Sequence, residues 1–238
     1  MTKLPIILLP PSEGKAPAGR SSPWTVDSGR FGAQLGSRRR QVADALDGAA
    51  GGDHRLLGAK GELLEQARVA NRSVIGAPTL PAWQRFSGVV WNHLDHASLS
   101  PTAKRRARSG VLVISALTGV SGVTDPLPDH RLKLSADLAP LGRLARWWRP
   151  AVSEVLEAPL RRRLVVDLLP NEHRAACHVD ADRCDLRRIR FVDDSGRSIG
   201  HDAKAAKGLF VRALLEADDP ESVLCRGWTH GDLTAVQD

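Results

Sequence analysis

Four short, predominantly apolar runs constrain this chain more than any other feature: residues 4–9, 111–116, 164–169 and 189–192. A strand with one wet face alternates apolar and polar residues, whereas a continuous run implies burial on both faces. Helix-length stretches lie between the runs. Leucine, valine and alanine at helical spacing predict helices over 35–46, 62–71, 100–109, 141–156 and 204–215, the first of them a basic amphipathic helix carrying Arg38, Arg39 and Arg40. Buried strands alternating with helices predict an α/β fold, with α+β as the other possibility, built as one compact domain over 1–238 around a mixed sheet. Residues 16–32 and the glycine-rich 48–52 read as loop and flexible connection, 78–81 as a turn, 117–122 as a glycine-rich loop, and the tail after Pro220 as short and polar. Within 54–72, the run Leu57-Gly58-Ala59-Lys60-Gly61 between two helical segments is a candidate helix-hairpin-helix.

Charge narrows the partners. The chain has 34 Lys and Arg against 27 Asp and Glu, a net charge of +7, and that balance favours polyanions such as DNA or a small phosphate-bearing or otherwise anionic ligand. No run approaches the roughly 20 apolar residues that span a bilayer, so no membrane association is expected. The odd count of three cysteines and the lack of a signal-like start point to reduced thiols in the cytoplasm. Cys177, His178 and Cys184 match no common zinc spacing, so neither metal nor cofactor is expected, and the chain reads as a monomer.

Candidate chemistry sits where buried strands end, the usual place for ligands in open α/β sheets. After the first strand, Ser12, Glu13 and Lys15 bring a hydroxyl, a carboxylate and an ammonium together, although the phosphate-loop pattern is absent. After the second, Gly119 and Gly122 permit close backbone approach, Asp125 suits turn initiation before Pro126, and Arg131 offers a fork for phosphate or carboxylate. After the third, Asn171, Glu172 and His173 supply amide, carboxylate and imidazole for base recognition or proton transfer, with helix capping equally open for Asn171. Last, His201, Lys204 and Lys207 lie at a helix start, where cations oppose the helix dipole unless an anion docks there. In the hairpin, Gly58, Lys60 and Gly61 are candidate contacts to a DNA backbone.

These segments, in this order, resemble the YaaA family (DUF328 or UPF0246), and the chain looks like a divergent, actinobacterial-type member. The resemblance runs through Leu8 to Lys15, Ser115 to Val120, Asp125-Pro126, His130-Arg131-Leu132, Trp147 to Pro150, Val165 to Leu168, Asn171-Glu172-His173 and Ala203 to Gly208. It implies a peroxide-stress protein that binds DNA largely independently of sequence, through a helix-hairpin-helix and a positively charged cleft. The chain departs from the family where tyrosines are usual: Thr118, His130 and His173 stand at those places, and the chain has no tyrosine at all. That departure leaves a second expectation open, a divergent enzyme acting on a nucleotide, nucleobase or other small anionic substrate. Its catalytic groups would be Glu172, His173 and Lys204, with Ser12, Lys15, Arg131, His201, Lys204 and Lys207 holding the ligand or its phosphate.

Overall fold

The computed structural model describes residues 4–17, 19–197, 200–225 and 227–237. In chain order the strands are β1 (Ile6–Leu9), β2 (Ser21–Pro23), β3 (Pro78–Pro81), β4 (Val111–Ser115), β5 (Gly119–Gly122), β6 (Pro126–Leu127), β7 (Asp137–Leu138), β8 (Gly142–Arg143), β9 (Leu164–Asp167), β10 (Asp185–Val192), β11 (Thr229–His230) and β12 (Leu233–Gln237). The α-helices are α1 (Gly32–Gly48), α2 (His54–Leu57), α3 (Gly61–Arg72), α4 (Ala82–Arg85), α5 (Val89–Leu94), α6 (Pro101–Gly110), α7 (Leu144–Leu160), α8 (Asn171–Arg174), α9 (Gly200–Glu216) and α10 (Pro220–Cys225).

The four apolar runs all become strands of one seven-stranded mixed sheet, ordered β11-β12-β10-β9-β1-β4-β5. Its centre is parallel: β1 pairs with β4 and β9, and β9 pairs with β10, so that Leu8 sits opposite both Leu112 and Asp167. Both edges are antiparallel, β5 along β4 and the β11–β12 hairpin along β10. Burial on both faces explains the strong hydrophobicity of β1, β4 and β9. Ile6, Leu8, Leu112, Ile114 and Val165 pack towards α1 and α7. Ile7, Leu9, Val111, Val113 and Val166 pack towards α5, α6 and α9.

Several local expectations change. Residues 78–81 form β3, not a turn, and pair with β2 and β6. Gly119–Gly122 is a buried edge strand, not a loop, and Asp125 accepts hydrogen bonds from the Gly122 and Arg30 backbone N–H groups at 2.8 and 2.9 Å. The 48–52 connection is packed at Gly51 and Gly52. The tail is not merely polar, because the β11–β12 hairpin extends the sheet beyond β10 and buries Leu233, while Val223 and Leu224 of α10 pack against the core. Helix α1 is not basic all along its outer face: Arg39 is 1% exposed.

The chain leaves β1, builds β4 on one side, and returns to place β9 on the other. The carboxyl ends of β1 and β9 therefore diverge into separate loops at a topological switch point, and an open sheet leaves a crevice there.

Candidate functional site

A cavity of about 390 Å³ occupies that crevice. The loop after β1 supplies Ser12 and Lys15, the segment before β7 supplies Arg131 and Lys133, the turn after β9 supplies Glu172 and His173, and α9 supplies Lys204 and Lys207. Seven residues singled out from sequence thus line one cavity: Ser12, Lys15, Arg131, Glu172, His173, Lys204 and Lys207. His201 does not; it is exposed in the first turn of α9. Gly58, Lys60 and Gly61 lie outside the lining as well.

Local geometry sets each group. The loop after β1 is bridged to the chain at α4 by Lys15 opposite Phe86, with Ala16 N–H donating to Arg85 O at 2.9 Å. This aims Lys15 Nζ at Ser12 O, 3.0 Å away, and 5.8 Å from the centroid of the Phe86 ring. Arg85 is itself buried and donates to Leu127 O and Ala16 O, which locks the same corner. Lys207 Nζ donates to Leu168 O. Burial, the largest cause in both cases, pushes the ammonium groups of Lys15 and Lys207 down to about 8. Apolar Val90, Trp91, Leu132 and Leu134 form the rest of the wall.

Arg131 is held from behind by the α2–α3 unit. Its Nε donates to Leu57 O at 3.1 Å, its backbone N–H donates to Asn71 Oδ1 at 2.9 Å, and Asn71 Nδ2 returns a bond to Arg131 O at 2.9 Å. The exposed carboxylate of Glu13 meets Lys133 Nζ at 2.9 Å and Arg131 Nη2 at 3.6 Å. The hydrogen bond from Lys133 keeps that carboxylate below its ordinary range.

His173 is buried and its imidazole is pushed down to about 4, first by burial and then by Lys207. It is therefore neutral near pH 7. Glu172 Oε1 lies 3.4 Å from Nδ1 of His173, yet that nitrogen is buried with no hydrogen-bond partner in place. Asn171 is the first residue of α8 and not its cap; its Oδ1 accepts from Arg174 Nη1 at 3.2 Å.

Two expectations about α9 and the missing tyrosines need correction. The helix begins by Gly200, so Lys207 sits two turns in, away from the free amides of the first turn. An anion beside Lys207 would have to meet the side chain and not the helix end. Of the three places where tyrosine is absent, only His173 lines the cavity. Thr118 is buried against Ser115 Oγ at 2.7 Å, and His130 is buried with Nδ1 3.0 Å from Pro128 O.

A family described as "Peroxide stress protein YaaA" matches residues 6–223 of this chain. The chain belongs to the YaaA family. A UPF0246 protein of Streptomyces coelicolor is 33% identical over 214 residues, covering 88% of this chain and 82% of the relative. A UPF0246 protein of Corynebacterium glutamicum strain R is 32% identical over 214 residues, covering 88% and 84%. Similarity thus runs to actinobacterial proteins, and the span of this YaaA-family chain that matches the family, residues 6–223, includes every residue of the cavity wall.

The cavity wall also contains Lys133 and Trp91, and Asn71 stands behind it; none of these was singled out from sequence. Lys133 had a readable signal: it lies two residues after Arg131, so in extended chain both point the same way. Asn71 had none, since an asparagine near a helix end has many uses. Among the described residues no group of three or more His, Cys, Asp or Glu could hold a metal ion. Burial pushes the Cys177 thiol up to about 12. No helix among them is long and apolar enough to cross a membrane.

Proposed function

We propose that the cleft binds a small, nucleotide-sized anion, with Lys15, Lys204, Lys207 and Arg131 meeting its phosphate or carboxylate and the Trp91 wall taking its apolar part. One observation carries this reading. Lys15 and Lys207 are desolvated, each bonds only one backbone carbonyl, and both border the same 390 Å³ cavity. An ammonium has three donors, so each has donors left for a ligand. The volume falls within the range of small-molecule sites. Ser12 would add a hydroxyl. If the bound molecule reacts, Glu172 is the exposed proton carrier and neutral His173 the hydrogen-bonding group beside it, with Lys204 as a third catalytic group that supplies positive charge. His201 is left with no part in this reading.

The test is calorimetric titration with AMP and a panel of nucleotides. Lys15→Met and Lys207→Met should each weaken binding by about tenfold or more. Wild-type affinity should fall as pH rises through about 8, where the two ammonium groups lose their protons. Nucleotide binding that neither variant weakens would sink the proposal.

A second reading, DNA binding without sequence preference in peroxide stress, is favoured by a different observation. The α2–α3 turn is exposed at Gly58, Lys60 and Gly61, both glycines have positive φ (59° and 56°), and nothing lies within 4 Å of where a Cβ would stand on Gly61. Such a turn presents backbone amides to a phosphate strand. Here Lys60→Ala, or Lys204→Ala with Lys207→Ala if the cleft also takes DNA, should lower the logarithmic salt slope by roughly 0.9 per lost phosphate contact. A slope unchanged in both variants would remove this reading.

A further inference from the structure

On the opposite side of α8 lies a second cavity, of about 290 Å³. The single turn of α8 divides the two: Glu172 and His173 border the cleft, whereas Asn171 and Arg174 border this smaller space. We infer that the smaller cavity is a separate binding site for a tetrahedral oxyanion, phosphate or sulfate, held by Arg149, Arg174 and Arg188.

Three elements bring the three guanidinium groups together. Arg149 comes from α7, Arg174 from α8, and Arg188 from β10, directly opposite Asp167 in the parallel pairing with β9. Among the described residues Asp167 is the only carboxylate in the lining, and it is 2% exposed. It is already engaged: Oδ1 accepts from Leu169 N–H at 2.9 Å and Oδ2 from Arg174 Nε at 2.9 Å. Arg174 also donates to Asn171 Oδ1 and to Leu169 O, at 3.2 and 3.0 Å, so its fork is rigid. Arg188 Nε stands 3.7 Å from Asp167 Oδ2, beyond hydrogen-bond reach. Arg149 makes one long bond, Nη1 to Ala175 O at 3.4 Å.

Three positive groups thus face one buried negative group, and two charges are uncompensated. Like charges gathered around a partly enclosed space repel one another more than they would in open solvent. A dianion restores neutrality. Arginine forks match tetrahedral and planar oxyanions, and Arg149 and Arg188 retain several N–H donors each. The site also sits at the carboxyl end of β9, beside the middle of β10, where sheet and loops leave room for a ligand. The space is too small for a whole nucleotide but ample for phosphate or for the phosphate end of a larger molecule.

The probe is inorganic phosphate, added at constant ionic strength to ¹⁵N-labelled full-length protein and followed by amide and arginine Nε–H resonances. Saturable shifts are expected at Arg174 to Val179 and at Arg188. Arg149→Ala with Arg188→Ala removes two exposed side chains, so the fold should persist, and it should weaken those shifts by about tenfold or more. Lys15→Met with Lys207→Met should leave them intact, which separates this site from the cleft. Should the alanine pair fail to fold, Arg149→Lys with Arg188→Lys keeps the charges, loses the forks, and should still weaken phosphate. A parallel titration with AMP and adenosine tells the sources apart: the same shifts with AMP and none with adenosine mean that the site accepts a phosphate on a larger molecule. Shifts that stay linear in phosphate, or that persist unchanged in both arginine double variants, overturn the inference.

Discussion

Arg39 and the lysine pair of the cleft are all cations withdrawn from water, and they are withdrawn differently. Arg39 donates from Nε to Thr118 O at 3.0 Å, from Nη1 to Val26 O and Ser28 O at 3.2 and 2.7 Å, and from Nη2 to Val120 O at 3.0 Å. Its fork stitches α1 to the 26–28 loop and to the start of β5. Burial pushes its pKa down to about 10, yet it remains charged, because four carbonyl oxygens replace its hydration. Lys15 and Lys207 each find one carbonyl and otherwise face a cavity. Burial alone therefore does not mark a site. The mark is a desolvated cation whose donors are not used up by its own chain.

The strongest way to break this comparison is Arg39→Met. Four carbonyls lose their donor in the core, and the cost should be on the order of 4 kcal/mol or more, read as a shift of the urea midpoint. A variant as stable as wild type would show that Arg39 is no clamp. Gly208→Ala should cost less, about 1–3 kcal/mol. A Cβ there would stand 2.3 Å from Val90 O and 2.8 Å from His93 Cβ, forcing α9 away from α5 and carrying Lys204 and Lys207 with it. Anion affinity should fall along with stability in that variant.

Lys15→Met with Lys207→Met should not destabilise the protein at pH 7, in contrast to Arg39→Met, because the folded state disfavours these charges. The sign against pH follows. Both groups titrate near 8 when folded and near 10.5 when unfolded, so between those values the unfolded chain binds more protons. Wild-type stability should gain from these two residues as pH rises from about 8 to 10.5, and the double variant should lose that gain. Equal pH slopes in both proteins would mean that the lysines are not desolvated. His173 works at the other end: held down to about 4, it contributes stability that is lost as pH falls from about 6.5, and His173→Gln should flatten that acid limb. The smallest effect belongs to Lys60→Ala, an exposed cation that should move stability by less than about 0.5 kcal/mol and leave AMP binding untouched.

Much of the sheet was legible because hydrophobic burial on both faces writes itself into sequence as a short, predominantly apolar run. β1, β4, β9 and the end of β10 were readable for that reason. β3 and β5 were not: proline and glycine dominate Pro78–Pro81 and Gly119–Gly122, and both residue types signal turns unless a neighbouring strand supplies the pairing. The same limit hid Arg39. In a row of three arginines on a helix, nothing local says which one meets four carbonyls from distant segments.

The amino-acid order by itself determined the α/β class, the positions of the central strands and the expectation that chemistry lies in the loops that follow them, since these depend on local periodicity and on where buried runs stop. Tertiary structure decided the rest. It alone placed β9 beside β1 so that loops 150 residues or so apart share one crevice, set Lys133 against Glu13, held Arg131 with Asn71, and gathered Arg149, Arg174 and Arg188 around Asp167. Charge and hydrogen-bond environments are sums over neighbours in space, and a cation's neighbours here come from strands and helices far apart in the chain.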